Sequence, residues 1–340
     1  QKREENELSQ AFTAYNTRIV APPHGSMLPM SPVRKNILMV ACALGLLIPV
    51  VIIFICENMN TRVRGRKDLE SVTVPFIGEI PLFTRKKKGI FRKKPQEVRA
   101  IVVKEGSRDI INEAFRVLRT NLEFMTGKDK ASNVIIVTSF NPGSGKSFLT
   151  MNIAVSFAIK GKKVLVIDGD LRHGSASSYI DSPTKGLSDY LGGRIDNLNE
   201  IIVTNPKQKY LDILPVGTIP PNPTELLFDD RLKQVIDTVR EQYEYVLIDC
   251  PPIELVADTQ IIEKLADRTI FVVRAGLLEL SMLAELEKIY GEKKYKNMSL
   301  ILNGTEGSGG RYGYRYGYRY GYHYGYGSEY HYGSDEKYIE

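Results

Sequence analysis

The segment FNPGSGKS, residues 140–147, restricts the possible folds of this chain more than any other feature of its 340 residues. It follows the apolar, β-branched stretch Val134–Ser139, which predicts a strand, and it precedes Ser147–Lys160, which predicts a helix closed by Gly161. A glycine-rich loop between a strand and a helix presents backbone N–H groups and the helix N-terminus to phosphate oxygens. The sequence therefore predicts a P-loop.

The side chains of this loop fit a nucleotide. Lys146 is expected to reach the β- and γ-phosphates, and the Ser147 hydroxyl is expected to coordinate Mg²⁺. The usual first glycine of the motif is replaced by Phe140, so a simple glycine-rich turn is the alternative. The predicted nucleotide-binding residues are Gly143, Ser144, Gly145, Lys146, Ser147 and Phe148.

Carboxylates follow two further apolar stretches that predict strands. Asp168 ends VLVID and is followed by Asp170, while Asp249 ends YVLID. In a parallel sheet the carboxyl ends of strands meet at the edge where ligands bind. One such aspartate is often only a helix cap, but three of them beside a P-loop predict a site for ATP and Mg²⁺.

Alternating apolar strands and helices between residues 105 and 306 set the fold class. We predict an α/β P-loop NTPase with a mainly parallel sheet covered by helices on both faces. The other predicted strands are Leu211–Pro215, Thr269–Val273 and Met298–Leu302, and the other predicted helices are Ser107–Met125, Arg231–Gln242, Ile261–Ala266 and Leu280–Tyr290.

An uncharged run of 20 residues, Ile37–Cys56, is long enough to cross a bilayer as a helix. A buried core helix is the alternative. Because the chain does not begin with methionine, we expect it to be a segment of a longer protein. The predicted parts are an extracytoplasmic stub (1–35), a transmembrane helix (36–58), a basic cytoplasmic linker (59–104), the P-loop domain (105–306) and a tyrosine-rich tail (307–340).

The segment Thr61–Lys104 carries 13 basic and 4 acidic residues, whereas the whole chain has a net charge of +6. Positive charge beside a membrane span places that side in the cytoplasm and favours contact with anionic lipids. Nucleic-acid binding is the other interpretation of a basic stretch, and the adjacent span makes it the weaker one.

The C-terminal segment repeats tyrosine at every second position, as in RYGYRYGYRYGY. With glycine alternating and almost no aliphatic residue, it predicts disorder, although a strand or an aggregation-prone segment is also open. Eleven of the 19 tyrosines lie here: Tyr312, Tyr314, Tyr316, Tyr318, Tyr320, Tyr322, Tyr324, Tyr326, Tyr330, Tyr332 and Tyr338.

Five motifs in order now resemble one family. They are EAFRVLR (113–119), SFNPGSGKS (139–147), VLVIDGDLR (164–172), GTIPPNPTELL (217–227) and VLIDCPP (246–252). With the terminal tyrosines, they resemble the bacterial tyrosine kinases fused to polysaccharide co-polymerases. The tail is unusually rich in glycine and arginine for that family, and its large extracytoplasmic domain and first membrane span are not in this sequence.

The resemblance implies roles for the site residues. Lys146, Asp168 and Asp170 would be catalytic, with Asp168 accepting the tyrosine proton. Ser147, Asp170 and Asp249 would hold Mg²⁺, and Asp168 and Asp170 could exchange roles. Glu113, Arg116 and Arg119 would form an interface to a neighbouring subunit, although from spacing alone they are equally a solvated helix face.

The resemblance also implies a setting and partners. It implies autophosphorylation of the tail within a ring of identical subunits at the bacterial inner membrane, with the kinase domain in the cytoplasm. The implied partners are a phosphotyrosine phosphatase, a polysaccharide polymerase, the outer-membrane export machinery and anionic lipids, but no nucleic acid.

Three other functions are compared with this hypothesis. ATP-switch proteins of the plasmid-partition or division-site type share the architecture, but they place a lysine early in the P-loop, where this chain has Phe140 and Asn141. A non-enzymatic scaffold for polysaccharide export remains open. A eukaryotic-type kinase is excluded because no HRDxxxxN motif followed by DFG occurs.

Overall fold

The computed structural model describes residues 2–13, 25, 33–58, 61–83, 100–126, 133–205, 208–253 and 257–306. The chain divides into two units, residues 1–60 and 61–340. The first unit contains helices α1 (Lys2–Thr13) and α2 (Arg34–Asn58). Within α2, the 22 residues Arg34–Ile55 are long and apolar enough to cross a membrane, and none is buried.

The second unit contains the strands and the remaining helices. The strands are β1 (Phe76–Pro81), β2 (Val134–Thr138), β3 (Val164–Asp168), β4 (Val203–Thr204), β5 (Leu211–Leu214), β6 (Tyr245–Asp249), β7 (Arg268–Arg274) and β8 (Met298–Thr305). The helices are α3 (Ile110–Thr126), α4 (Lys146–Ala158), α5 (Leu187–Leu191), α6 (Pro223–Leu227), α7 (Asp230–Gln242), α8 (Asp258–Glu263) and α9 (Met282–Gly291).

These strands form one sheet in the order β1-β8-β7-β2-β6-β3-β5-β4. Every pairing is parallel except that of the two-residue strand β4 with β5. Helices α3 and α4 contribute to the buried cluster on one face, while α5, α7, α8 and α9 contribute to the cluster on the other. The predicted fold class is confirmed.

The predicted linker 59–104 is wrong for its described part. Residues 76–81 form β1, which pairs with β8, and Val63, Ile77 and Ile80 are buried. An edge strand tolerates proline at its end, where Pro81 lies. The α/β unit therefore begins at residue 61.

Two differences from the predicted element bounds affect the site. Helix α8 begins at Asp258 rather than Ile261, so its first turn is polar. Strand β8 continues from Leu302 to Thr305, which brings Asn303 to the edge of the sheet. The tyrosines from Tyr312 to Tyr338 lie outside the described residues.

We predict that Ile80→Ala lowers the free energy of unfolding of the α/β unit by about 2–5 kcal/mol, because a fully buried side chain would leave a cavity. The exposed neighbour gives a matched control, and Glu79→Ala should change it by less than about 0.5 kcal/mol. Urea unfolding followed by circular dichroism measures both. Equally small effects would show that β1 does not belong to the fold.

Candidate functional site

The carboxyl ends of three adjacent strands bring the predicted site residues together. Asp168 at the end of β3 is paired in register with Asp249 at the end of β6. Val137 of β2, three residues before the P-loop begins at Phe140, is paired with the same Asp249. Because these pairings are parallel and in register, the P-loop and both carboxylates leave the sheet at one level.

Hydrogen bonds within the P-loop and one from β8 hold the P-loop backbone. Gly143 and Gly145 adopt positive φ angles of 74° and 87°, which favour glycine. The Ser144 hydroxyl donates to the carbonyl of Asn141 at 2.8 Å, and Asn303 donates from Nδ2 to the Ser144 carbonyl at 2.8 Å. A Cβ on Gly145 would collide with the Asn303 side-chain amide, so a larger residue would displace Asn303 from the Ser144 carbonyl.

No sequence pattern marks Asn303 as a site residue, because the predicted strand ends at Leu302. Its contact joins residues 159 positions apart, so no local pattern could show it. The structure also explains Phe140 at the position of the usual first glycine. Its ring is buried and packs edge-on against Phe271 at 4.9 Å between centroids, which fixes the start of the loop to the core.

Asp168 is completely buried and only half satisfied. Its Oδ2 accepts bonds from the backbone N–H and the hydroxyl of Ser177, both at 2.6 Å, while Oδ1 has no partner within the described residues. Burial and the neighbouring Asp249 raise the pKa of Asp168 well above its ordinary value. A carboxyl group in this environment binds a proton or a cation readily.

Asp249 is also buried, and neither of its oxygens makes a hydrogen bond of ordinary geometry within the described residues. Burial raises the pKa of Asp249, while the Ser147 hydroxyl and the Lys146 ammonium group lower it. These two P-loop side chains are therefore electrostatically coupled to Asp249. The last strand residue of β6 and the first turn of α4 share one site.

Asp170 is the most accessible carboxylate of the three, with a side chain that is 9% exposed. Its Oδ1 accepts from the backbone N–H groups of Arg172 and His173, both at 3.2 Å, and the His173 ring lies at 3.2 Å. The loop after β3 thus folds around this carboxylate.

Orphaned carboxylate oxygens beside a phosphate-binding loop suit Mg²⁺. Among the described residues, no group of three or more His, Cys, Asp or Glu side chains could hold a metal ion by itself. Mg²⁺ usually keeps several waters and uses one or two carboxylates together with substrate phosphates. The residues present therefore fit a metal that arrives with a nucleotide.

The predicted interface on α3 needs one correction. Glu113 and Arg116 form an ion pair whose side chains are 42% and 38% exposed. Arg119 is buried instead, and its Nη1 donates to the carbonyl of Ser156 in α4 at 2.9 Å. Because Arg119 follows Arg116 by three residues, spacing suggested a shared surface, but it lies beside the buried stripe of Phe115 and Leu122.

Comparison with known proteins agrees with this geometry. A family model described as an AAA domain matches residues 132–300. The tyrosine-protein kinase YwqD of Bacillus subtilis (strain 168) is 35% identical over 209 residues, which are 61% of this chain and 87% of that protein. The chain belongs to the bacterial tyrosine-kinase family.

Two comparisons with another member of the family, Etk, show how much of each protein is matched. The tyrosine-protein kinase Etk of Escherichia coli K12 is 31% identical over 288 residues, covering 81% of this chain and 39% of Etk. The solved kinase domain of E. coli Etk superposes with a TM-score of 0.63 at 29% identity, covering 78% of this chain and 100% of that domain. The chain therefore spans about two fifths of full-length Etk.

We predict that Asp168→Asn raises the free energy of unfolding of the nucleotide-free protein by about 1–2 kcal/mol while reducing phosphotyrosine formation. The asparagine Oδ1 can keep both Ser177 bonds, and its amide removes the charge repulsion with Asp249. Because the raised pKa makes the wild-type fold less stable as pH rises, the difference should grow between pH 5 and pH 8.

Thermal unfolding without nucleotide measures this difference. Asp229→Asn is the control, because Asp229 is an exposed N-cap that asparagine replaces well. A variant less stable than the wild type at pH 8 would contradict the expected repulsion.

Proposed function

We propose that this chain is an ATP- and Mg²⁺-dependent protein-tyrosine autokinase that phosphorylates the tyrosines between Tyr312 and Tyr338. The observation that carries the proposal is the convergence of Lys146, Asp168 and Asp249 at one edge of the sheet in a member of the tyrosine-kinase family. Family membership, the fold and the position of the site residues all support this proposal.

The origin of the tail supports this choice of substrate. Strand β8 is parallel to its neighbours and ends at Thr305, so the chain leaves the sheet at the nucleotide edge. The 35 residues that follow carry eleven tyrosines. A flexible chain of that length has a root-mean-square reach of about 30 Å, enough to enter its own site or that of a neighbour.

The proposed reaction is an in-line transfer. A tyrosine oxygen forms a bond to the γ-phosphorus, the bond from that phosphorus to the β–γ bridging oxygen breaks, and ADP leaves. The tyrosine proton passes to Asp168, whose raised pKa suits a proton acceptor near neutral pH. Lys146 and the P-loop N–H groups would hold the phosphates. Asp170, Asp249 and Ser147 would hold Mg²⁺, which would neutralise the charge of the phosphates.

The proposed membrane setting rests on α2. We propose that α2 spans the bacterial inner membrane, that the basic residues after it contact anionic lipids, and that the α/β unit faces the cytoplasm. In this setting a ring of identical subunits regulates exopolysaccharide or capsule polymerisation and export, together with the polymerase, the outer-membrane exporter and a phosphotyrosine phosphatase. Phosphorylation adds nearly two negative charges per tyrosine, so a phosphorylated tail would loosen the ring.

The alternative function is a membrane-tethered ATPase switch or scaffold without kinase activity. Switch proteins of the partition type use a lysine early in the P-loop, but Phe140 at that position is 2% exposed and packs in the core. The structure therefore offers no cation there for a partner subunit.

We predict that Lys146→Met abolishes phosphotyrosine, reducing it at least about 100-fold, because the γ-phosphate loses its lysine contact. Lys160→Met is the control, since Lys160 is exposed after α4. Phosphotyrosine blotting after incubation with ATP and Mg²⁺ measures both. ATP hydrolysis by wild-type protein without any phosphotyrosine would select the switch or scaffold.

We predict that Arg116→Ala leaves the free energy of unfolding within about 0.5 kcal/mol of wild type but reduces oligomer mass and phosphotyrosine, because the exposed Glu113–Arg116 pair would face a neighbouring subunit. Arg108→Ala, an exposed position just before α3, is the control. Mass photometry in detergent measures assembly. An unchanged oligomer with unchanged phosphotyrosine would remove this surface from the proposal.

A further inference from the structure

A closed triangle of side chains lies behind the loop that carries Asp170. Asp258, the first residue of α8, is completely buried, and its Oδ2 accepts from Arg172 Nε at 3.1 Å. Its Oδ1 accepts from the Thr224 hydroxyl at 2.6 Å, and Arg172 Nη2 donates to that hydroxyl at 2.9 Å. Both carboxylate oxygens are therefore satisfied.

The triangle joins three segments that are distant in sequence. Arg172 belongs to the loop after β3, Thr224 lies in α6, and Asp258 begins α8. The stretch GTIPPNPTELL, residues 217–227, contributes Thr224. Its place in the triangle gives that motif a physical purpose.

The triangle connects directly to Asp170. The backbone N–H groups of Arg172 and His173 donate to the Asp170 carboxylate, and the N–H of Gly174 donates to the Asp170 carbonyl at 3.0 Å. An arginine anchored at its side chain thus fixes the backbone that orients the carboxylate. Moving Arg172 would move two of the donors on which Asp170 depends.

The start of α8 also holds the loop after β6. Thr259, next to Asp258, donates from its hydroxyl to the Pro251 carbonyl at 2.8 Å. The same carbonyl accepts from Thr138 at the end of β2 at 2.9 Å. Two consecutive residues of one helix therefore secure the loops after β3 and β6 and the strand before the P-loop.

We infer that Asp258 is a positioning residue, which holds Arg172 and Thr224 so that the loop after β3 presents Asp170 to the magnesium–triphosphate site. The inference rests on the proposed function for the identity of that site. Unlike Asp168 and Asp249, Asp258 has its oxygens fully occupied by protein donors, so its role is mechanical rather than chemical. Partners of this kind typically change metal affinity or activity 10–100-fold when they are removed.

The first experiment measures the metal-free protein and does not depend on activity. Hydrogen exchange of the amides of residues 172–174 should be about tenfold faster in Asp258→Asn than in wild type, because Arg172 loses its charged acceptor. The second measures the Mg²⁺ concentration for half-maximal phosphotyrosine formation at saturating ATP, which should rise about 10–100-fold.

Thr224 provides a test that preserves the buried charge pair. Thr224→Val keeps the shape and removes the hydroxyl, so it should shift both readouts in the same direction by a smaller factor. Thr224→Ser keeps the hydroxyl and should restore wild-type values. This pair decides the question if Asp258→Asn proves too unstable to purify.

The control is a charge pair of similar geometry elsewhere in the fold. Arg240 donates from Nη1 to both oxygens of Asp267 at 2.9 and 2.7 Å, at the opposite, amino-terminal edge of the sheet. Asp267→Asn should lower stability while leaving the exchange at 172–174 and the Mg²⁺ dependence unchanged.

Two outcomes would overturn the inference. In the first, Asp258→Asn and Asp267→Asn show the same hydrogen-exchange rates at residues 172–174 and need the same Mg²⁺ concentration. The other is a Thr224→Val protein indistinguishable from Thr224→Ser. Absence of phosphotyrosine from wild-type protein would instead refute the kinase proposal, and the exchange measurement would still test the positioning role.

Discussion

The parallel pairing of β3 with β6 places two carboxylates side by side in a buried position, and the rest of the site depends on this pairing. Asp168 and Asp249 are register partners, so neither can move away from the other without breaking the sheet. Two buried like charges destabilise a fold unless a proton or a cation neutralises them. The strands are held by an extensive apolar core, and that core keeps the two carboxyl groups together until a proton or a cation neutralises one of them.

The chain treats its buried carboxylates in two contrasting ways. Asp258 is enclosed by donors from Arg172 and Thr224, whereas Asp249 has none of ordinary geometry within the described residues. A satisfied carboxylate rigidifies its surroundings, and an orphaned one retains free lone pairs for a cation. Asp258 lies behind the loops, whereas Asp249 lies at the carboxyl edge of the sheet. The hydrogen-bonded carboxylate therefore supports the geometry around the one without partners.

Those parts of the fold and site that depend on local sequence could be predicted. The strands before Asp168 and Asp249 are continuous apolar runs with a polar stop, and the P-loop is a contiguous motif, so their bounds agree closely with the structure. Strand β1 was missed because it ends in a proline, Pro81, and lies in a basic segment that resembles a linker. Arg119 was wrongly assigned to the surface because its partner, Ser156, is distant in sequence. Asn303 was missed for the same reason, since its partner is Ser144.

The position of β8 links the site to its proposed substrate. An autokinase must deliver a flexible segment to the carboxyl edge of its own or a neighbouring sheet. Because β8 is parallel to β7 and its Asn303 touches the P-loop, the chain leaves β8 at the P-loop edge of the sheet rather than at the opposite edge. In the proposed reaction, the length of the segment after Thr305 sets the effective concentration of its tyrosines near the site. The strand that steadies the P-loop thereby also determines where the proposed substrate segment begins.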